Sequence, residues 1–240
     1  MNFLNANHIK QSFETAGGEF ISPLSVFKEK LPQIKAFVFD WDGVFNSGFK
    51  QDDAGSPFSE PSSMGINMLR FSSYLKEGKA PLIFIITGEN NLPAIKLANR
   101  EHFAGVYLSV KNKLTALAHI NKEFGIKPHE IAFSFDDILD LGMAKEVALR
   151  FQVSRKANPL MDEFVKAQKI ADYKTATEGI NHAVREICEL AIGFNGNYEQ
   201  TLSERMRFSK TYQQYLEERN RAIPLFFEGK TGKIFSYQES

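Results

Sequence analysis

The sequence predicts an α/β protein built on a central, mostly parallel sheet. Short apolar runs rich in Val, Ile and Phe alternate with segments of helical periodicity, an order that is typical of doubly wound sheets. The runs are short and lack polar alternation, which favours strands that are buried on both faces. The predicted strands are Ala36–Phe39, Leu82–Ile86, Val106–Leu108, Ile131–Phe135 and Leu149–Val153.

Helices are predicted between these strands because apolar residues recur there at helical spacing. Gly125 follows one of these segments and is a suitable helix stop. In a doubly wound sheet ligands bind beyond the carboxyl ends of the strands, so the residues that end each strand are the first candidates for function. The predicted helices are Gly65–Glu77, Asn91–Glu101, Lys113–Phe124 and Asp140–Val147.

The strand–helix pattern divides the chain into three parts. Residues 1–33 are expected to form an N-terminal extension packed on the core, residues 34–192 the main domain, and residues 193–240 a helical C-terminal extension. Within the main domain, the segment Phe49–Ser63 is rich in turn residues and suits a β-hairpin or a loop over the site. It is too short for a separate cap domain.

Composition excludes several classes of function. Lys plus Arg and Asp plus Glu both number 29, so no excess of charge favours nucleic acid or an acidic membrane. The single cysteine, Cys188, excludes an intramolecular disulfide and a cysteine-based zinc site, and it fits a reducing compartment. The N-terminus lacks an apolar signal-peptide core, and the strongest apolar run, "PLIFIITG", is too short to cross a bilayer. We therefore expect a cytoplasmic protein.

Two acids follow the first predicted strand in the stretch "FVFDWDGVFNSG". In an extended segment Asp40 and Asp42 lie on the same side, where two carboxylates repel each other unless a cation compensates. Mg²⁺ prefers oxygen ligands, usually a few carboxylates with water and substrate phosphate. Asp136, after another predicted strand, offers a further oxygen. These residues predict a magnesium site.

The other strand ends carry groups that suit a phosphoryl substrate. Thr87 and Gly88 follow the second strand, and Lys113 begins the helix after the third. A lysine neutralises a phosphoryl group, and a hydroxyl with backbone N–H groups holds its oxygens; Lys111 is an alternative partner. One carboxylate of the first pair can attack phosphorus, and the other can exchange protons with the leaving oxygen and with water. The acids of "FDDILD" also suit helix capping, which is compatible with metal binding.

The segments "DWDGV", "IITG", the lysine of "VKNKL" and "DDILD" occur in this order. They resemble the four motifs of the haloacid dehalogenase (HAD) superfamily and, within it, the capless 3-deoxy-D-manno-octulosonate 8-phosphate (KDO 8-phosphate) phosphatases. The resemblance runs from about Ile34 to Ile192 and includes "HAVREICELA". It implies a Rossmann-like three-layer fold without a large cap, a magnesium-dependent phosphatase and a small phosphorylated metabolite, such as a sugar phosphate, as substrate. It also implies a homo-oligomer, as a tetramer.

The resemblance implies a role for each matching residue. Asp40 would be the nucleophile and a metal ligand, and Asp42 the general acid/base, with its backbone carbonyl also on the metal. Asp136 would complete the protein ligands to Mg²⁺. The remaining matches would hold the phosphoryl group (Thr87, Gly88 and Lys113) or contact the metal ligands and their water (Asp137 and Asp140).

The chain departs from the pattern of these phosphatases at positions near the site. Phe135 stands where the late motif usually has glycine, and Glu89 where an arginine follows "ITG". Ser63 replaces an aspartate, and "EGINHA" replaces a glycine-rich segment. These differences leave open a catalytically impaired scaffold or regulatory binding protein as the alternative. A phosphotransferase or phosphomutase is disfavoured, since those enzymes must exclude water and the chain lacks a cap.

Overall fold

In the computed structural model, residues 5–50 and 55–237 are described, and they contain one nine-stranded sheet. The strand order is β1-β7-β6-β5-β2-β3-β4-β8-β9. Neighbouring strands are parallel except at the two edges, where β1 pairs antiparallel with β7 and β9 with β8. The strands are β1 Glu19–Phe20, β2 Ala36–Asp40, β3 Leu82–Ile86, β4 Gly105–Leu108, β5 Ile131–Phe135, β6 Leu149–Gln152, β7 Tyr173–Lys174, β8 Leu225–Lys230 and β9 Lys233–Ser236.

Helices cover both faces of this sheet, which gives the predicted three layers. Alternate residues of β2 enter two separate apolar cores: Phe37 and Phe39 pack towards one layer, Ala36 and Val38 towards the other. The helices are α1 Ala6–Thr15, α2 Leu24–Lys30, α3 Glu60–Glu77, α4 Leu92–Glu101, α5 Lys113–Phe124, α6 Leu141–Ala144, α7 Pro159–Ala167, α8 Ala183–Asn195, α9 Tyr198–Met206 and α10 Lys210–Arg219. The α/β fold class predicted from the alternating pattern is confirmed.

Three predicted elements differ from those observed. The helix predicted from Gly65 is α3, which begins five residues earlier, at Glu60. The helix expected over Asp140–Val147 is the short α6, preceded by a 3-10 turn at Ile138–Asp140. In the segment Phe49–Ser63, residues 51–54 lie outside the described ranges, and the described remainder contains no strand. Instead, the Ser59 side chain accepts the backbone N–H of Ser62 and caps α3.

The C-terminal segment contains helices α9 and α10 and then two strands that the helical pattern did not predict. Strand β8 pairs in parallel with β4 and so widens the sheet. Helix α10 is anchored to α3 through the buried Asn67, which donates to the Tyr212 hydroxyl and accepts from the Tyr215 hydroxyl. This segment therefore packs on the main domain rather than standing apart from it.

Candidate active site

The strand register brings the predicted site residues to one edge of the sheet. Asp40, the last residue of β2, pairs with Ile86 of β3, and Phe39 pairs with Ser134 of β5. Thr87 and Asp136 therefore follow their strands at the level of Asp40. Parallel strands place their carboxyl ends on the same edge, where doubly wound proteins bind ligands.

Three buried carboxylates meet at this edge and are called the carboxylate cluster: Asp40, Asp136 and Asp140. One oxygen from each lies within 4.8 Å of the others, an arrangement that can hold a metal ion. The Lys113 ammonium contacts both Asp40 and Asp140 and is only 3% exposed. This lysine is the first residue of α5, whose N-terminus is fixed by the side chain of Asn112.

Burial and charge shift the protonation of this cluster. Burial raises the pKa of Asp40 to about 7, although the nearby Lys113 ammonium opposes the rise. Burial alone would lower the pKa of Lys113, but the carboxylates of Asp140 and Asp40 outweigh it and hold that pKa above its ordinary value. The lysine is therefore a fixed positive charge beside the predicted nucleophile.

The surroundings of Asp136 are suitable for a metal ligand. Burial, followed by the charges of Asp40 and Asp140, raises its pKa to about 9 in the metal-free protein, while Arg155 opposes this. Its carboxyl oxygen Oδ1 is buried and has no hydrogen-bond partner within the described ranges. A buried polar atom of this kind carries a desolvation cost that a cation would offset. The residues present therefore fit Mg²⁺.

The loop after β5 turns the acids of "FDDILD" in different directions. Asp140 points back into the cluster, and its Oδ2 accepts the backbone N–H groups of Asp136 and Asp137 at 3.3 and 3.2 Å. Asp137 is exposed and accepts the N–H of Ile138 at 2.7 Å. Helix capping and assembly of the cluster thus occur in one loop.

Asp42 lies in a separate set of contacts, which is called the Asp42 network. Its carboxylate accepts hydrogen bonds from Lys50 at 2.6 Å, from the Ser56 hydroxyl at 2.6 Å and from the Asn91 amide at 2.9 Å. The side chain is about one quarter exposed, unlike that of Asp40. The repulsion expected between the two acids is relieved by separate cations, Lys113 for one and Lys50 for the other.

Thr87 connects to this network and is fully buried. Its hydroxyl oxygen accepts the Asn91 amide at 2.7 Å, and the backbone N–H of Glu89 lies 3.3 Å from the same oxygen. Gly88 stands between them, with open space where a side chain would begin. The predicted phosphate-binding turn is therefore linked through Asn91 to Asp42, the predicted general acid/base.

The glycine of "DWDG" is required by the space around it. Gly43 has φ +85°, and a Cβ there would lie 2.0 Å from both Arg155 Nη2 and Asp136 Oδ2. Gly179 of "EGINHA" packs on the same loop, since a Cβ there would lie 2.2 Å from the Gly43 carbonyl oxygen. The late segment thus supports the first site loop through close backbone contact.

Two residues that differ from the motif pattern, Phe135 and Glu89, leave the carboxylate cluster intact. Phe135 is fully buried, with its ring stacked on Phe133 at a centroid distance of 5.9 Å, and Asp136 still reaches the cluster. Glu89 is exposed and forms an ion pair with Lys111 at 2.5 Å. Lys113, rather than Lys111, therefore lies against the carboxylates.

Sequence reasoning missed four residues around the site: Lys50, Ser56, Asn91 and Arg155. Asn91 opened a predicted helix and suited an ordinary N-cap, but its side chain makes no capping hydrogen bond. The Asn91 side-chain amide instead donates hydrogen bonds to Thr87 and Asp42. No local pattern in the sequence signals the other three, which approach the acids only through the fold.

Among the described residues, no helix is both long and apolar enough to cross a membrane.

The known proteins to which this chain is similar in sequence are phosphatases of one kind. No protein-family model matches the chain. The KDO 8-phosphate phosphatase KdsC of Escherichia coli strain K12 is 25% identical over 175 residues, which cover 71% of this chain and 86% of the relative. The corresponding protein of Yersinia pestis is 26% identical over 168 residues, which cover 68% of this chain and 82% of the relative.

Solved structures agree with these sequences. A chain from Legionella pneumophila, named as a subfamily III A hydrolase of the HAD superfamily, aligns with a TM-score of 0.63 and 26% identity over 77% of this chain and 96% of its own. The KDO 8-phosphate phosphatase of Moraxella catarrhalis, solved with magnesium, phosphate and KDO, aligns with a TM-score of 0.62 and 25% identity. The alignment covers 74% of this chain and 96% of that one. The resemblance carried by the four motifs is confirmed: the chain is related to the KDO 8-phosphate phosphatases of the HAD superfamily.

Proposed function

We propose that this protein is a magnesium-dependent phosphatase that hydrolyses a small phosphorylated metabolite, such as a sugar phosphate. The observation that carries the proposal is the buried carboxylate cluster beside Lys113 at the carboxyl edge of a parallel sheet. The related phosphatases act on KDO 8-phosphate. We expect the protein to be cytoplasmic and, as the resemblance implies, to form a homo-oligomer, as a tetramer.

Magnesium would be held by the carboxylates of Asp40 and Asp136 and by the backbone carbonyl of Asp42. When bound, it supplies positive charge that stabilises the phosphoryl oxygens. Asp140 supports Asp136 by accepting its backbone N–H, and the exposed Asp137 would contact the metal site only through water. Thr87 and the backbone at Gly88 bind the phosphoryl oxygens, and Lys113 neutralises their charge.

The protein residues carry the bond changes. An oxygen of Asp40 attacks phosphorus while the bond to the leaving oxygen breaks, and Asp42 donates a proton to that oxygen. This leaves an aspartyl phosphate on Asp40. Asp42 then takes a proton from water, whose oxygen attacks phosphorus and releases the Asp40 carboxylate and phosphate. Lys50, Ser56 and Asn91 hold Asp42 in place.

The test is hydrolysis of p-nitrophenyl phosphate and of a panel of sugar phosphates, with Mg²⁺ and with EDTA. We expect magnesium-dependent release of phosphate by the native protein and none by Asp40→Asn. Equal activity of Asp40→Asn, or no hydrolysis of any substrate, contradicts the proposal. Trapping of labelled phosphate on the native protein, but not on Asp40→Asn, tests the aspartyl phosphate separately.

A regulatory binding protein of the same fold is the second candidate. It is favoured by one observation, the ion pair of Arg155 with the predicted metal ligand Asp136 at 2.5 Å. Such a protein would bind phosphorylated ligands without releasing phosphate, so the same assay combined with a binding measurement separates the two functions.

A further inference from the structure

Arg155 lies against the carboxylate cluster from outside. Its Nη2 is 2.5 Å from Asp136 Oδ2, and the pair fills the space where Gly43 lacks a side chain. The residue comes from the loop after β6, which no predicted motif includes. The cluster therefore faces two side-chain cations, Lys113 and Arg155.

The two cations are held differently. Lys113 is 3% exposed and contacts two carboxylates, whereas the Arg155 side chain is 31% exposed. Within the described part of the chain, Asp136 Oδ2 makes no hydrogen bond of ordinary geometry, so the contact with Arg155 is one of charge alone. Arginine frequently binds a carboxylate through two parallel hydrogen bonds, which add geometric specificity, and Arg155 and Asp136 do not form such a pair. Arg155 therefore compensates charge without fixing the orientation of Asp136.

A cavity beside the cluster provides space into which the guanidinium can move. It has a volume of about 280 Å³ and is lined by Gly43, Ser47, Arg155, Lys156 and Glu178, among others. Glu178 accepts the backbone N–H of Lys156 at 3.3 Å, and no ion pair to its carboxylate is present in residues 5–50 and 55–237. It is thus an available anionic partner for Arg155.

We infer that Arg155 is a displaceable cation that competes with the divalent metal for Asp136 and moves towards Glu178 when the metal binds. A positive charge beside a ligand oxygen repels a divalent cation, and this repulsion is strong where water is excluded. Once the metal is present, the same charge favours a phosphoryl anion. Arg155 therefore adds to the positive coupling between metal and phosphate that the charge of the metal itself provides. The inference rests on the proposed function, because it assumes the magnesium site.

The experiment is calorimetric titration of metal-free protein with Mg²⁺, in the absence and in the presence of inorganic phosphate. We expect Arg155→Gln to bind Mg²⁺ more tightly than the native protein, on the order of tenfold, and to show weaker coupling with phosphate than the native protein, because only the part contributed by Arg155 is lost. Glu178→Gln should bind Mg²⁺ more weakly, because the receiving carboxylate is gone. Lys156→Gln is the matched control, since it removes the same charge from the same loop without contacting Asp136, and it should behave as the native protein.

The outcomes separate this inference from the function on which it rests. Unchanged or weaker Mg²⁺ binding by Arg155→Gln, in a protein that hydrolyses phosphate esters, overturns the inference and leaves the function intact. Weaker binding would mean that Arg155 orients Asp136 instead. If neither the native protein nor Arg155→Gln binds Mg²⁺, the inference and the proposed function are both overturned. Should Arg155→Gln fail to fold by circular dichroism, Arg155→Met serves as the second neutral variant and must bind Mg²⁺ more tightly.

Discussion

The carboxylate cluster and the Asp42 network contain acids only two residues apart in the chain, Asp40 and Asp42, yet the charge of these acids is compensated in opposite ways. In the cluster, three carboxylates are buried and close together, and the two cations Lys113 and Arg155 compensate them only in part. In the network, a single carboxylate is partly exposed and receives three donors. The first region is left short of positive charge, whereas the second is satisfied by the protein alone.

The difference shows how two identical side chains obtain different chemistry. A carboxylate whose charge is poorly compensated attracts a cation and can act as ligand and nucleophile. A carboxylate held by hydrogen bonds keeps a fixed position from which it can exchange a proton. Environment, and not residue type, divides the proposed roles of Asp40 and Asp42.

The largest effect is expected from Lys113→Met, which removes the buried one of the two positive charges that contact the cluster. Breaking a buried ion pair on one side costs about 3–5 kcal/mol, so the free energy of unfolding measured with urea should fall by that order, and phosphatase activity should be lost. Lys111→Met is the control, since its pair with Glu89 is exposed and should contribute less than about 1 kcal/mol. Equal losses for the two variants would mean that Lys113 is not held as a buried charge.

The comparison is tested directly by Asp42→Asn. Loss of general acid/base catalysis should lower kcat by roughly 10²–10⁴, while Mg²⁺ affinity stays close to native because the Asp42 side chain is outside the cluster. Asp40→Asn should lower both. Calorimetry and steady-state kinetics on the two variants measure this, and an equal loss of Mg²⁺ affinity would place the Asp42 carboxylate in the metal site.

A smaller effect is expected from Asn91→Ala. This substitution removes the hydrogen bonds to Asp42 at 2.9 Å and to Thr87 at 2.7 Å, each worth about 1 kcal/mol. We expect kcat to fall on the order of tenfold with Mg²⁺ affinity unchanged. Asn5→Ala, which removes only the cap of α1, should leave kcat as it is. An unchanged kcat in Asn91→Ala would show that Asp42 does not depend on Asn91 for its position.

The smallest effect should follow Glu89→Gln at the exposed rim. The ion pair with Lys111 is solvent-screened, so the free energy of unfolding should change by less than about 1 kcal/mol. The KM for an anionic phosphate ester should decrease modestly, and the decrease should vanish at high salt because it arises from long-range charge. A decrease that persists in high salt would indicate direct contact of residue 89 with the substrate.

The elements that the sequence predicted best are those whose apolar pattern agrees with their burial in the fold. The strands that surround the site and helix α5 appear within one residue of the predicted bounds, because continuous apolar runs and helical periodicity leave few alternatives for buried elements. Strands β8 and β9 were missed, since β9 is a largely exposed edge strand and the apolar residues of β8 are limited to its first half, Leu225–Phe227. The hairpin suggested for Phe49–Ser63 has no strand in its described part, where a helix cap begins instead.

For the site, the sequence by itself determined which acids and which threonine follow the strands at the carboxyl edge, because each follows an apolar strand in a parallel order. It left Lys111 as an alternative to Lys113, and the structure places Lys113 against the carboxylates. Only the tertiary structure decided their partners. It separated Asp42 from the cluster by means of Lys50, Ser56 and Asn91, and it brought Arg155 to Asp136 across the Gly43 loop. The physical reason is that strand ends are fixed by local periodicity, whereas the contacts between loops depend on packing between residues far apart in the chain.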